Sequence, residues 1–91
     1  MRVYDWDEDK RRHNNREHGI DFTAAYAFDW DTCAVMIDDR ENYGELREIA
    51  TGFIGDVLHM LVYTESDAAI RVISLRKASR RERQRYGQGP R

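Results

Sequence analysis

The chain has 91 residues, 41% of them apolar and 35% charged, with a formal net charge of -2. That is room for one small domain with a modest core, 1–91, and the balance is that of a folded chain rather than a disordered one. No apolar run approaches the roughly twenty residues that span a bilayer, no secretory signal opens the chain, and the lone Cys33 excludes an intramolecular disulfide, which together point to the reducing cytoplasm and away from a membrane.

The small net charge conceals a bipolar distribution. From Arg71 onward there are eight Lys and Arg against the single acid Glu82, or +7, whereas the first seventy residues hold seven against sixteen, or -9. A basic terminus of this density calls for a polyanion or an acidic partner.

In chain order, residues 2–6 alternate and predict a short first strand. The stretch "DWDEDKRRHNNREHGIDF" then reads as a surface helix. Asp5 or Asp7 caps it, Glu8 and Asp9 suit the positive end of its dipole, and His18-Gly19 stops it. Asp21 caps a second helix, in which Phe22, Ala25, Tyr26 and Phe28 supply an apolar stripe. From residue 33 the pattern changes to short apolar runs, and strands are expected over 33–37, 46–54, 57–64 and 69–75. The connections at 55–56 and 65–68 are short enough for hairpins. Ser79 with Glu82 makes a capping box for a basic helix over 80–87, stopped by Gly87, and 87–91 reads as a flexible tail. The expectation is an α+β fold: one antiparallel sheet of four to five strands, two N-terminal helices on one face and a short C-terminal basic helix.

Alternation assigns faces. Leu58, Met60 and Val62 share one side of their strand, with Val57, His59, Leu61 and Tyr63 on the other. In the last strand Ile70, Val72, Ser74 and Arg76 alternate with Arg71, Ile73, Leu75 and Lys77.

Three segments together resemble the BrnT toxins: "YDWDEDKRRHNNREHGIDFTAA", the Glu45-Leu46-Arg47 step, and "RVISLRKASRRERQRY". The resemblance runs from Tyr4 to Tyr86. Two positions depart from the family pattern: Glu17 stands where a base usually precedes the histidine, and Ser79 replaces a usual threonine. The resemblance implies a RelE-like fold and an RNA-cleaving toxin of a type II toxin–antitoxin system that inhibits translation. It also implies a ribbon-helix-helix antitoxin of BrnA type encoded beside it, contact with operator DNA only through that antitoxin, and a dimer within the complex.

Metal-free RNA cleavage needs a base for the 2'-hydroxyl, an acid for the leaving 5'-oxygen and cations around the crowded phosphate. It calls for no cofactor and no metal. Arginine suits the last task because its planar fork grips two phosphate oxygens. Arg71, Arg76 and Arg47 are the electrostatic candidates, against the plainer reading that each pairs with a nearby acid. His59, Tyr86 and Lys77 are the candidates for proton transfer. For His59 the plainer reading is a half-buried strand histidine; for Tyr86, docking of the last helix onto the sheet; Lys77 serves as base only if neighbouring arginines depress its pKa. Arg80, Arg81, Arg83 and Arg85, with Ser74, are expected to contact RNA phosphates. His13 and His18 lie five apart, which turns them to different helical faces, so no zinc pair is expected. Cys33 reads as a small core residue, and Trp6 and Trp30 as packing anchors. The alternative function is a non-enzymatic nucleic-acid-binding module or co-repressor.

Overall fold

A computed structural model describes residues 2–87. Of the tail expected over 87–91, Gly87 ends the last helix and the rest lies outside the described residues. The elements are β1 (Tyr4–Trp6), α1 (Glu8–His18), a 3₁₀ helix (Phe22–Ala27), β2 (Ala34–Ile37), β3 (Glu48–Ile54), β4 (Val57–Glu65), β5 (Ile70–Lys77) and α2 (Arg80–Gly87). The five strands form one sheet in the order β1-β5-β4-β3-β2. The α+β class stands, but the sheet is mixed rather than antiparallel. Strands β2 to β5 form the expected meander, and β1 lies parallel to β5 on its outer side.

The N-terminal punctuation follows side-chain chemistry. Asp7, not Asp5, caps α1, its Oδ1 accepting from the backbone N–H of Asp9 at 2.8 Å and of Lys10 at 3.2 Å. Gly19 ends the helix at φ 68°, where a side chain would be strained. Asp21 caps the second helix through the Thr23 N–H. That helix is 3₁₀ rather than α. Its buried residues Phe22, Ala25 and Phe28 recur every third position, which a three-residue turn stacks on one side. Tyr26, counted in the stripe, is 59% exposed for the same reason.

The helices do not share one face. Phe22, Ala25 and Phe28 pack with Leu61, Tyr63, Val72 and Leu75 in the main core. A second cluster of Leu58, Met60 and Ala78 gathers Phe53 and Tyr86. Met60 and Leu61 are neighbours on a strand and project to opposite sides, so α2 covers the face away from the 3₁₀ helix. Helix α1 takes a third position, beside the open edge of β5 where β1 has ended. There Asn14, buried at 3% exposure, accepts from the Leu75 N–H at 3.0 Å and donates to the Leu75 carbonyl at 2.7 Å. One amide thus stands in for a missing strand residue.

A bulge alters the expected faces of β5. Val62 pairs with Ser74 but Tyr63 pairs with Val72, leaving Ile73 as an extra residue. Ile70 and Val72 therefore join Leu75 in the main core, while Ser74 and Arg76 lie opposite Val62 and Met60 on the α2 side. Strict alternation cannot anticipate this, because one inserted residue reverses the phase of everything after it.

Close packing explains the glycine in β3. A Cβ on Gly52 would lie 2.6 Å from Phe28 Cζ and 2.9 Å from Cys33 Cβ. Cys33 itself is half-buried, its thiol donating to the Trp30 carbonyl at 3.3 Å, and burial raises its pKa. Trp30 donates to the Tyr4 hydroxyl at 2.7 Å and packs edge-on against Phe28 and Tyr63, fulfilling its role as an anchor.

Candidate functional site

The basic segment is held by one tight group of contacts. Arg76 reaches Glu82 with both guanidinium arms, Nη1 to Oε1 at 2.7 Å and Nη2 to Oε2 at 2.8 Å. Glu82 also accepts the Ser79 N–H at 2.8 Å, and Ser79 Oγ accepts the Glu82 N–H at 3.2 Å, which completes the capping box. The Arg76 guanidinium, then the Ser79 amide, hold the Glu82 carboxyl down at about 2, and Arg76 is raised in return. The sequence alone marks Glu82 as a cap; its grip on Arg76 depends on the bulge in β5, which reverses the face on which Arg76 lies.

Beyond this pair, α2 walls a cleft of about 560 Å³ over β2, β3 and β4. Met36, Thr51 and Met60 line its sheet side, and Glu82, Arg85 and Tyr86 its helix side. Tyr86 closes the wall: its hydroxyl donates to the Thr32 carbonyl at 2.5 Å and its ring meets Phe53 edge-on at 5.8 Å. Docking of the last helix, the plainer reading of this tyrosine, is thus part of its role. An apolar floor with cations at the rim suits a base stacked inside and a phosphate outside.

The other predicted residues are dispersed. Arg71 lies five residues from Arg76 and approaches Asp5 on β1 at 3.5 Å, with both side chains about half exposed. Arg47, ahead of β3, pairs with Glu45 at 3.1 Å and stacks over Tyr43 at 4.0 Å. All three arginines face a carboxylate, and they do not converge on one phosphate. His59 is buried, with Nδ1 2.8 Å from the Val57 carbonyl. It stands across the ladder from Lys77, which is exposed. Arg80, Arg81, Arg83 and Arg85 are exposed along α2, and Arg83 is anchored by donating to the Ala78 carbonyl at 3.0 Å.

A second arginine bears on Arg76. Arg40 forks onto the buried Asp38 at 2.7 Å on both arms, and its charge opposes that of Arg76. Arg40 holds the Asp38 carboxyl at about 2, while Asp38 N–H donates to the Arg47 carbonyl at 2.8 Å and ties the ends of β2 and β3 together. Asp21 is likewise held at about 2 by the Thr23 amide and Asn15.

These three carboxyls predict acid sensitivity. Each has a folded pKa below its unfolded value, so its stabilisation is complete above the ordinary carboxylate range and lost as pH falls from about 4 towards 2. Circular dichroism against pH should show unfolding within that window, and an unchanged melting temperature from pH 6 to pH 2.5 would contradict the assignment.

Among the described residues, no three His, Cys, Asp or Glu side chains gather closely enough to hold a metal ion, and no helix is long and apolar enough to cross a membrane.

A five-stranded mixed sheet with a basic terminal helix and a cationic cleft is the frame against which known proteins compare. Residues 6–82 match the family described as the ribonuclease toxin, BrnT, of type II toxin-antitoxin systems. The chain belongs to the BrnT family of ribonuclease toxins. Its fold is similar to the crystal structure of the Brucella abortus ribonuclease toxin BrnT, with a TM-score of 0.69 and 27% identity over 88% of this chain and 100% of that one. No curated protein matches the sequence.

Proposed function

We propose that this chain is an endoribonuclease with a RelE-like fold that cuts RNA without a metal ion, halts translation in the cytoplasm and acts as a single domain over 1–91. A BrnA-type ribbon-helix-helix antitoxin encoded beside it neutralises the toxin by covering its cationic end. In that complex the toxin is present as a dimer and meets operator DNA only through the antitoxin.

The observation that best supports this reading is the Arg76–Glu82 fork beside the α2 cleft. It fixes a guanidinium on a strand, at the mouth of an apolar space, among cations that have no carboxylate partner among the described residues. Arg76 stabilises the developing charge on the phosphate. Lys77, Arg80, Arg81 and Arg85 draw in the backbone, Tyr86 shapes the cleft, and Ser74 lies on the same side of the sheet. Arg83 joins them while bracing the start of α2. Arg71 and Arg47 are placed to steer RNA from a distance rather than to touch the same phosphate, and His59 supports the sheet.

The rival reading, a non-enzymatic nucleic-acid-binding module or co-repressor, draws on one observation: Arg71, Arg76 and Arg47 each already face a carboxylate. Incubating the purified protein with RNA in a metal chelator separates the two. Cleavage should leave 2',3'-cyclic phosphate and 5'-hydroxyl ends, whereas intact RNA retarded on a gel would support the rival.

A further inference from the structure

The α2 cleft offers cations, but the lining groups able to exchange protons are engaged, the Cys33 thiol donating to the Trp30 carbonyl. Glu82 is fully engaged by Arg76 and Ser79, and Tyr86 donates to a backbone carbonyl. A second groove, of about 430 Å³, opens on the other flank of β5, between that strand and α1. Lys10, His13, Asn14 and His18 line it from the helix and Ser74 from the strand, beside Ile73.

Three features make this groove a defined place rather than a dip in the surface. Asn14 bonds both backbone groups of Leu75, so the helix is fixed to the strand that forms the opposite wall. Both imidazoles are exposed, and neither has a hydrogen bond or ion pair with another described residue. The groove's one acid, Asp9, is paired with Arg12, which leaves the Lys10 charge dominant there. Ser74 lies two residues before Arg76 and on the same side of β5.

Spacing by five rotates the two histidines around the helix. The groove runs along the axis instead, and five residues rise by roughly 7.5 Å. That span accommodates a phosphodiester with one hydrogen bond on either side.

We propose that the α1–β5 groove receives the scissile ribose phosphate of RNA, and that His13 and His18 form the proton-transfer pair of the cleavage reaction. The inference rests on the ribonuclease reading above. One imidazole takes the proton of the 2'-hydroxyl as that oxygen bonds to phosphorus. The bond from phosphorus to the 5'-oxygen breaks, and the other imidazole, initially protonated, gives its proton to the departing oxygen. The products are a 2',3'-cyclic phosphate and a 5'-hydroxyl, with no other reactant consumed. Lys10 faces the negative phosphate, Ser74 offers it a hydroxyl, and Arg76, two residues further along β5, adds its charge to the field there.

The test uses the full-length protein, a short single-stranded RNA and a metal chelator, with cleavage rates measured from pH 5 to pH 9. His13→Gln and His18→Gln should each slow cleavage by about 100-fold or more, and each should abolish one limb of a bell-shaped pH profile. RNA binding by gel shift and the urea unfolding midpoint should stay within error of wild type. Imidazole added to His13→Ala should restore part of the rate. A double variant that cleaves within threefold of wild type overturns the inference while leaving the ribonuclease reading in place. A loss of cleavage matched by an equal loss of binding also overturns the proton-transfer role. Wild-type protein that cuts no RNA overturns both readings together.

Discussion

Replacing Asn14 with alanine should lower the unfolding free energy by about 3 kcal/mol, the largest stability effect expected of any single substitution on α1. The amide satisfies the Leu75 N–H and carbonyl at 3.0 and 2.7 Å, and it donates to the Ile20 carbonyl at 2.9 Å. Each buried backbone group left without a partner costs on the order of 1–3 kcal/mol, and β1, which ends at Trp6 opposite Val72, does not reach far enough to take over. Asn14→Asp should be nearly as damaging, since a carboxylate accepts from the Leu75 N–H but cannot donate to the carbonyl. For a domain of this length the loss amounts to roughly 15 °C in Tm. Urea denaturation checks it, and a loss below about 1 kcal/mol would mean that water replaces the amide.

The largest effect on activity should come from Arg76. Arg76→Ala should reduce RNA cleavage by about 100- to 1000-fold, the range for removing one preorganised group from a developing anion. It also strands the Glu82 carboxylate, so the variant should be less stable than wild type. Adding Glu82→Gln should recover stability without recovering cleavage, which separates the two roles of the fork. Arg76→Lys should not rescue activity, because a point charge cannot bridge both Glu82 oxygens and face a phosphate. Rates on a defined RNA, together with growth arrest at equal expression, decide it. Cleavage within fivefold of wild type in the double variant would remove Arg76 from the mechanism.

Much of this protein was legible residue by residue. The Asp7, Asp21 and Ser79–Glu82 caps are local chemistry, written within four residues of sequence, and the Gly55-Asp56 hairpin needs no distant partner. What could not be read involved residues far apart in the chain. The parallel pairing of β1 with β5 joins Tyr4 to Ile70, and nothing in either segment specifies the other. The extra residue at Ile73 follows from how β4 and β5 twist together, not from composition. The candidate site was partly legible for the same reason. The basic helix showed in the charge count, but the Arg76–Glu82 fork and the groove beside Ser74 depend on which way β5 faces. The three strand and loop arginines looked like one cluster because they share a charge, and the fold separates them.

The placement of β1 also bears on how the protein is made. β1 pairs with β5 alone, so the sheet is complete only when residues 4–6 have met residues 70–72. A parallel pairing between such distant segments carries a large loop-closure cost and is among the slower steps of folding. The cleft draws its floor from β2 to β4 and its wall from α2, so it takes shape only once that last helix has been synthesised.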